Sequence, residues 1–560
     1  MTAIVKNKFR LINAKNFKAL FNSDINPETI KDNYYMFIGK SMPWHLDEYP
    51  DTPVDSLESD TDIWDNMLSV KRITDGDVTL CIPRHDWKSG EVYTQYNSND
   101  SDLTKHPVNE ADNKSWYVLN SDFDLFICLS NNNGATSTVK PEYSASSPIF
   151  ETGDGYVWQY LTSLTTVQIN NFLSNNWIPI KNTPDTDDYE SNYTRRYNAK
   201  TYIQQNCTGM IASVVVVNPG YNYNNVMSGT AYADAGASTI TTQTAIFAPG
   251  FDGIASYLER STIYIGGKKY TILNCSLSGT NYVITTAEDL PAEGIPANTQ
   301  YVIGPNLNVT GDGNGEIVCI PTIVDGSISN VKIVNNESNK GFTYANCEII
   351  PGGTGGVGGS IKLNITPLNG LGVDIESDLN AYYVMCRTNL EYQVEDFPIS
   401  NDYRQIGIIH NAINSDNNML VSDTACATQI LEVLITELGS EADSDYNKAF
   451  LPDAQLISLN SDAKGYIVDY EYLGEDVLTD NNIDNVAHTA QISYIQNSTT
   501  GKIAFEEGQE ISANGSKATI LSITPSEIAH EKGDLLYFEN RRPILRAPDQ
   551  IEEIKTIIEF

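Results

Sequence analysis

Gly209-Met-Ile-Ala-Ser-Val-Val-Val-Val-Asn-Pro-Gly-Tyr-Asn-Tyr223 is the stretch on which the fold class turns. Ile211, Val214 and Val216 are branched aliphatics on a strand-like run, and Gly220 supplies turn geometry that a side chain would resist. The pattern returns as Gly326-x-Ile328-x-x-Val331-x-Ile333-Val334-Asn335, followed after four extra residues by Gly341-Phe342-x-Tyr344. Both copies read as strand, turn, aromatic strand, so the middle of the chain is predicted to hold an internal β repeat.

Further short β-branched or aromatic runs bounded by Gly, Asn or Pro extend the reading. They include Thr262–Ile265, Lys269–Ile272, Tyr282–Thr286, Gly465–Tyr470 and Ala518–Ile523. Helical patterning is sparser: Asn16–Asn22, Ile63–Val70 after the acidic cap candidates Asp60 and Asp62, Thr166–Leu173 and Thr428–Glu437. A mainly-β chain is expected.

With 560 residues the chain exceeds one ordinary core, and 41% apolar residues with 32 Tyr supply enough surface to bury. The 72 acidic against 35 basic residues give a net charge of −37, which repels nucleic acid and anionic membrane surfaces. The N-terminal residues lack the apolar run of a signal peptide, and no stretch approaches the ~18 apolar residues of a bilayer span. A chain made in a cytoplasm is the expectation. The eight Cys show no C-x-x-C spacing, which predicts free thiols in or near the core rather than a zinc site or disulfide framework.

Catalytic patterns are not legible. There is no G-x-S-x-G elbow, no H-E-x-x-H and no Walker loop, and the six His are scattered. Gly352–Gly359 superficially looks like a phosphate cradle but has no helix after it, so it reads as a loop. Thr310-Gly-Asp-Gly-Asn-Gly-Glu316 lacks calcium-loop spacing and reads as a tight turn. The six Trp all fall in the first third of the chain. They suit a core or subunit interface, with a carbohydrate platform as the competing use. No catalytic residue, cofactor site or metal site is assigned.

Three collinear segments carry a family resemblance. The first is Gly39-Lys-Ser-Met-Pro-Trp44 with Tyr49-Pro-Asp-Thr-Pro53, continuing through Asp62-Ile-Trp64 to Ile82-Pro-Arg-His-Asp-Trp87. The second is Gly153-Asp-Gly-Tyr-Val-Trp158-Gln-Tyr-Leu161. The third pairs Tyr403-Arg404-Gln-Ile-Gly-Ile-Ile409 with Leu536-Tyr537-Phe-Glu-Asn-Arg541-Arg542-Pro-Ile544 and the run through Asp549–Ile554 to Phe560. In this set the chain resembles the homodimeric baseplate wedge subunit of T-even-type contractile-tailed bacteriophages.

The resemblance implies a layered β-sandwich core domain built from both chain ends, with inserted β-rich modules and a few short helices. On that reading residues 1–200 form the N-terminal part of the core and 201–370 an inserted module carrying the repeat. Residues 371–414 return to the core, 415–530 form a second β-rich insertion, and 531–560 close the core. It also implies a non-catalytic virion protein of the tail baseplate, assembled in the host cytoplasm, with itself and neighbouring wedge proteins as partners. A receptor- or glycan-binding tail module is the alternative, and a cell-wall hydrolase a third. Trp44, Tyr49, Trp64, Trp87, Trp158, Arg404, Tyr537, Arg541, Arg542 and Phe560 are the interface or core candidates.

Overall fold

The computed structural model describes residues 4–21, 32–98, 115–182, 191–223, 227–243, 258–314, 316–334, 339–390, 401–480, 483–546 and 550–560. Its strands outnumber its helices, and the helices are short. Two compact units divide the chain, one formed by Met1–Leu80 with Tyr382–Phe560 and the other by Cys81–Ala381.

In the first unit, Tyr34–Gly39 is the middle strand of a five-stranded antiparallel sheet. All six of its residues are buried, so both faces are covered and the run is continuously apolar rather than alternating. Met67–Arg72 and Thr424–Cys426 lie on one side of it, Tyr403–His410 and Asp534–Ile544 on the other. The strands thus come from near both ends of the chain. Helix Asn7–Lys18 buries Leu11 and Ala14 and sets Phe17 5.2 Å from Phe560, ring to ring. Glu552–Glu559 pairs antiparallel with Tyr383–Leu390.

A closed six-stranded barrel completes this unit, in the order Gln429–Glu437, Ile483–Ile495, Lys464–Asp480, Gln455–Ser458, Glu510–Ala513, Ser516–Thr524. Leu431, Val433, Leu456, Ile467, Ile492 and Ile520 fill it. The chain enters and leaves at adjacent points, where Glu527 N–H donates to the Cys426 carbonyl at 3.0 Å.

The second unit opens with a four-stranded sheet, Tyr117–Leu119, Asp124–Ser130, Val157–Ser163, Ile149–Glu151, buried around Phe126, Trp158 and Tyr160. Helix Ser191–Asn206 packs beside Val157–Ser163. A second sheet runs Asn306–Gly311, Ala345–Ile350, Val357–Ile365, Ile211–Tyr221, and Val318–Val324 pairs with Ser327–Val334. The other closed barrel has the order Met227–Ala233, Thr239–Thr242, Asn281–Thr286, Lys268–Ser278, Thr262–Ile265, Ile295–Gly304. The sheet-and-barrel module begins and ends side by side, because Gly209 N–H donates to the Pro367 carbonyl at 3.1 Å and Thr366 N–H to Met210 at 2.8 Å.

The two repeat copies meet head to tail. Gly341 and Phe342 N–H groups bond to the Thr208 and Gly209 carbonyls, while Tyr223 N–H bonds to Gly326. Each copy buries one aromatic, Tyr223 or Phe342, in the same core. Those two residues are not at aligned positions. Asn335 itself lies outside the described residues.

Several sequence expectations need correction. The helix expected over Ile63–Val70 runs Leu57–Asp65, capped by the Ser56 hydroxyl accepting from Ser59 N–H, and Met67–Arg72 is a strand. Thr428–Glu437, read as helical, contains the barrel strand Gln429–Glu437, because Leu431, Val433 and Ile435 alternate into the core. The first helix spans Asn7–Lys18, whereas Asn16–Asn22 was expected. Ser191–Asn206 carried no readable signal, since its inward face consists of Arg196, Ala199 and Ile203. The glycine-rich run is a loop only to Gly356, with Val357–Ile365 a strand. Two closed barrels stand where simple sandwich layers were expected. Alternation fixes which face of a strand is apolar but not whether the sheet curls shut.

Candidate functional site

The best-ordered constellation of sequence candidates lies in the first unit, where a loop after Gly39 is fastened to the C-terminal strand. Trp44 is nearly buried, and its indole N–H donates to the Arg541 carbonyl at 2.8 Å. Its backbone N–H donates to the Asp47 carboxylate at 2.8 Å, and the Lys40 ammonium sits 4.5 Å from its ring centroid. Arg404, buried on Tyr403–His410, makes a two-pronged contact to Asp47, at 3.0 Å for each nitrogen, and donates to the Ser41 carbonyl. The guanidinium holds the Asp47 carboxyl below the usual range. Arg542 Nε donates to the Glu48 carbonyl at 3.1 Å and Asn540 to that of Asp51 at 2.8 Å.

Trp44, Arg404, Arg541 and Arg542 therefore come together at one seam. The remaining candidates do not join them. Tyr49 is left exposed beside it. Trp64 is core beneath the sheet, Tyr537 pairs with Ile408, and Phe560 packs on the N-terminal helix. Burial pushes the Tyr537 phenol up to about 12. Sequence reasoning missed Asp47 and Asn540. A carboxylate three residues past Trp44 has the spacing of a local side-chain cap, but nothing in the sequence marks Asn540.

In the second unit, the Gly153-Asp-Gly155 motif is a knot of hydrogen bonds. The Asp154 carboxylate accepts from Thr138 N–H at 2.7 Å, Val139 N–H at 2.9 Å and the Thr152 and Ser137 hydroxyls. Burial raises its pKa, but the Thr152, Val139, Thr138 and Tyr156 donors outweigh burial and hold it low. Trp158 is fully buried, its indole N–H without a partner among the described residues, while Trp87 donates to the Ser137 hydroxyl at 3.1 Å. Arg196 is also buried and donates to the Leu161, Gly372 and Val373 carbonyls. Burial lowers its pKa to about 10. Asp378, accepting from Gly372 N–H at 2.7 Å, is pushed by burial to about 7.

These groups are structural ties. Among the described residues no group of three or more His, Cys, Asp or Glu could hold a metal ion. The Asp312 carboxylate, in the tight turn of that glycine-rich motif, accepts from the Thr343 and Tyr344 N–H groups, and its pKa falls to about 2 through the Thr343 bonds. None of the eight cysteines is in a disulfide. None of the six tryptophans is exposed: Trp87 and Trp177 are half-buried and the other four buried. No described helix is long and apolar enough to cross a membrane.

The family model described as "Bacteriophage T4, Gp8" matches residues 3–133 and 476–560. A curated relative, the "Baseplate wedge protein gp8" of Enterobacteria phage T4, is 28% identical over 225 residues, covering 34% of this chain and 66% of the relative. The family ranges take in the Gly39–Trp87 segment and the C-terminal strand, the two sides of the Trp44 seam, and leave Gly153–Leu161 and Tyr403–Ile409 between them. With both chain ends matched in order, the chain is similar at its two ends to the phage Gp8 family.

Proposed function

We propose that this chain is a non-catalytic structural subunit of a phage tail baseplate wedge, assembling as a homodimer with neighbouring wedge proteins in the virion. One observation carries the reading: the family match falls on both sides of the Trp44–Arg541 seam. In this reading the five-stranded sheet with its covering strands is the layered core. Residues 201–370 and 415–530 are modules inserted into loops of that core. Their adjacent ends support this, because an insertion whose ends meet leaves the host strands in register. The seam candidates fix the shape of a docking surface, and the buried tryptophans supply core.

Localisation in purified particles tests the proposal. Antibody or density labelling of the chain should mark the tail baseplate. Labelling confined to fibres or absent from the particle would overturn it, and so would robust turnover of cell-wall substrate by purified protein.

A further inference from the structure

Positive charge is scarce in this chain, yet residues 4–21 hold Lys6, Lys8, Arg10, Lys15 and Lys18 and no acid. The helix they flank buries Leu11 and Ala14 and turns Phe9 and Ile12 outward, with Phe9 56% exposed; Ile4 and Val5 ahead of it are exposed as well. Its inner side is already engaged, through Arg10 to Glu559 at 3.1 Å and Phe17 to Phe560. Among the described residues, an apolar stripe bordered by Lys6 and Lys8 is left without cover.

The opposite composition occurs in residues 45–62, with seven acids and no Lys or Arg. Here Leu46, Tyr49, Val54 and Leu57 are exposed, Tyr49 at 70% and Leu57 at 82%. Glu48, Asp51, Asp55 and Glu58 are exposed among them. This ledge is held in place from behind by the seam bonds of Trp44, Arg404, Asn540 and Arg542. Large apolar side chains pinned outward on a fixed loop mark a contact surface.

The C-terminal turn of the helix reaches the Tyr34 end of the central strand, with Phe17 6.5 Å and the following Phe21 4.5 Å from Tyr34, ring to ring, and the ledge follows Gly39 at the strand's other end.

We propose that the basic, apolar N-terminal helix of one copy docks on the acidic, apolar ledge of a second copy, and the reverse, about a two-fold axis. Two copies related by a two-fold axis satisfy both contacts at once and close the assembly. Charge selects the pairing, because ledge on ledge or helix on helix would set like charges against each other. It also resolves how a chain of net charge −37 can self-associate, since the contact joins its most basic segment to an acidic one. The inference rests on the homodimer reading and names its surface.

Light scattering of the full chain and two charge-reversed variants tests it, one carrying Lys6→Glu and Lys8→Glu, the other Asp51→Lys and Asp55→Lys. The unmodified chain should be a dimer. Each variant should be monomeric at the same concentration with unchanged melting temperature, its dissociation constant raised about a hundredfold. Mixing the two variants should restore a dimer, since both helix–ledge contacts in the mixed pair are again of opposite charge. Variants that stay dimeric would overturn this surface while leaving the homodimer standing. An unmodified chain of one-chain mass would overturn the homodimer itself. Open chains of growing length would overturn the closed two-fold arrangement.

Discussion

At the scale of single residues, the buried ions decide local stability, and each can be tested separately. Arg404 is 5% exposed at its side chain while Asp47 is 35% exposed. Replacing Arg404 by Met should cost roughly 3 kcal/mol, the lower end of the range for breaking a buried pair because water reaches Asp47. Chemical unfolding followed by Trp44 and Trp64 fluorescence would read it, and a cost under about 0.5 kcal/mol, the size expected of an ordinary surface change, would deny the seam its role. Asp378 provides the pH test. Burial raises its pKa to about 7, well above the unfolded carboxylate value, so the folded state binds the proton more tightly. Its contribution is fully present below the unfolded value of about 4 and is lost as pH rises through about 7. Melting of the Cys81–Ala381 unit should therefore fall between pH 5 and 8, and Asp378→Asn should flatten that fall. An identical pH slope in the variant would show that Asp378 is ionised throughout. Neither residue was readable in this role: Arg404 was chosen as a candidate by resemblance, and Asp378 and Arg196 sit on short or polar helices whose sequence looks like surface.

Among the elements, the repeat shows how close packing of aromatics on glycine organises a sheet. A Cβ at Gly356, where φ is +104°, would lie 2.1 Å from the Tyr223 ring, and one at Gly313 would lie 2.4 Å from the Phe342 ring. Gly313→Val should thus displace Phe342 and destabilise the repeat by about 2–4 kcal/mol, as for an overpacked core with a displaced aromatic. Urea unfolding of the full chain is the measurement, and an unchanged midpoint would mean that Phe342 has room to move. The strands of both copies were legible because Ile, Val and Tyr alternate between turn residues. Their mutual contact was not legible, since hydrogen bonds such as Phe342 to Gly209 join residues more than a hundred positions apart. The strand Gln429–Glu437 failed for a related reason: a short apolar run satisfies helical and strand periodicity alike, and only barrel neighbours on both sides decide it.

For the whole molecule, the prediction is that the chain ends are needed and the modules are not. Ending the chain at Gly533 removes Asp534–Ile544 and Glu552–Glu559, the partners of Tyr403–His410 and Tyr383–Leu390, and leaves Trp44 without its acceptor. The truncated protein should aggregate and shift its tryptophan emission to the red. A monodisperse product with unchanged emission would make the C-terminus a peripheral arm. Joining Thr208 to Leu368 should conversely leave a folded protein, because the excised ends are hydrogen-bonded neighbours. Loss of a cooperative melting transition would show that the module is part of the core. By itself the sequence determined the β-rich class, the repeat, the absence of recognisable catalytic motifs, and a family resemblance carried by both ends, because alternation, turn residues and collinear motifs are local properties. Only the tertiary structure decided that two sheets close into barrels, that Arg404 meets Asp47, and that the basic helix and the acidic ledge each leave large apolar side chains exposed. Those outcomes depend on pairings between distant residues, and their energies come from burial and hydrogen bonds formed only once the chain has folded.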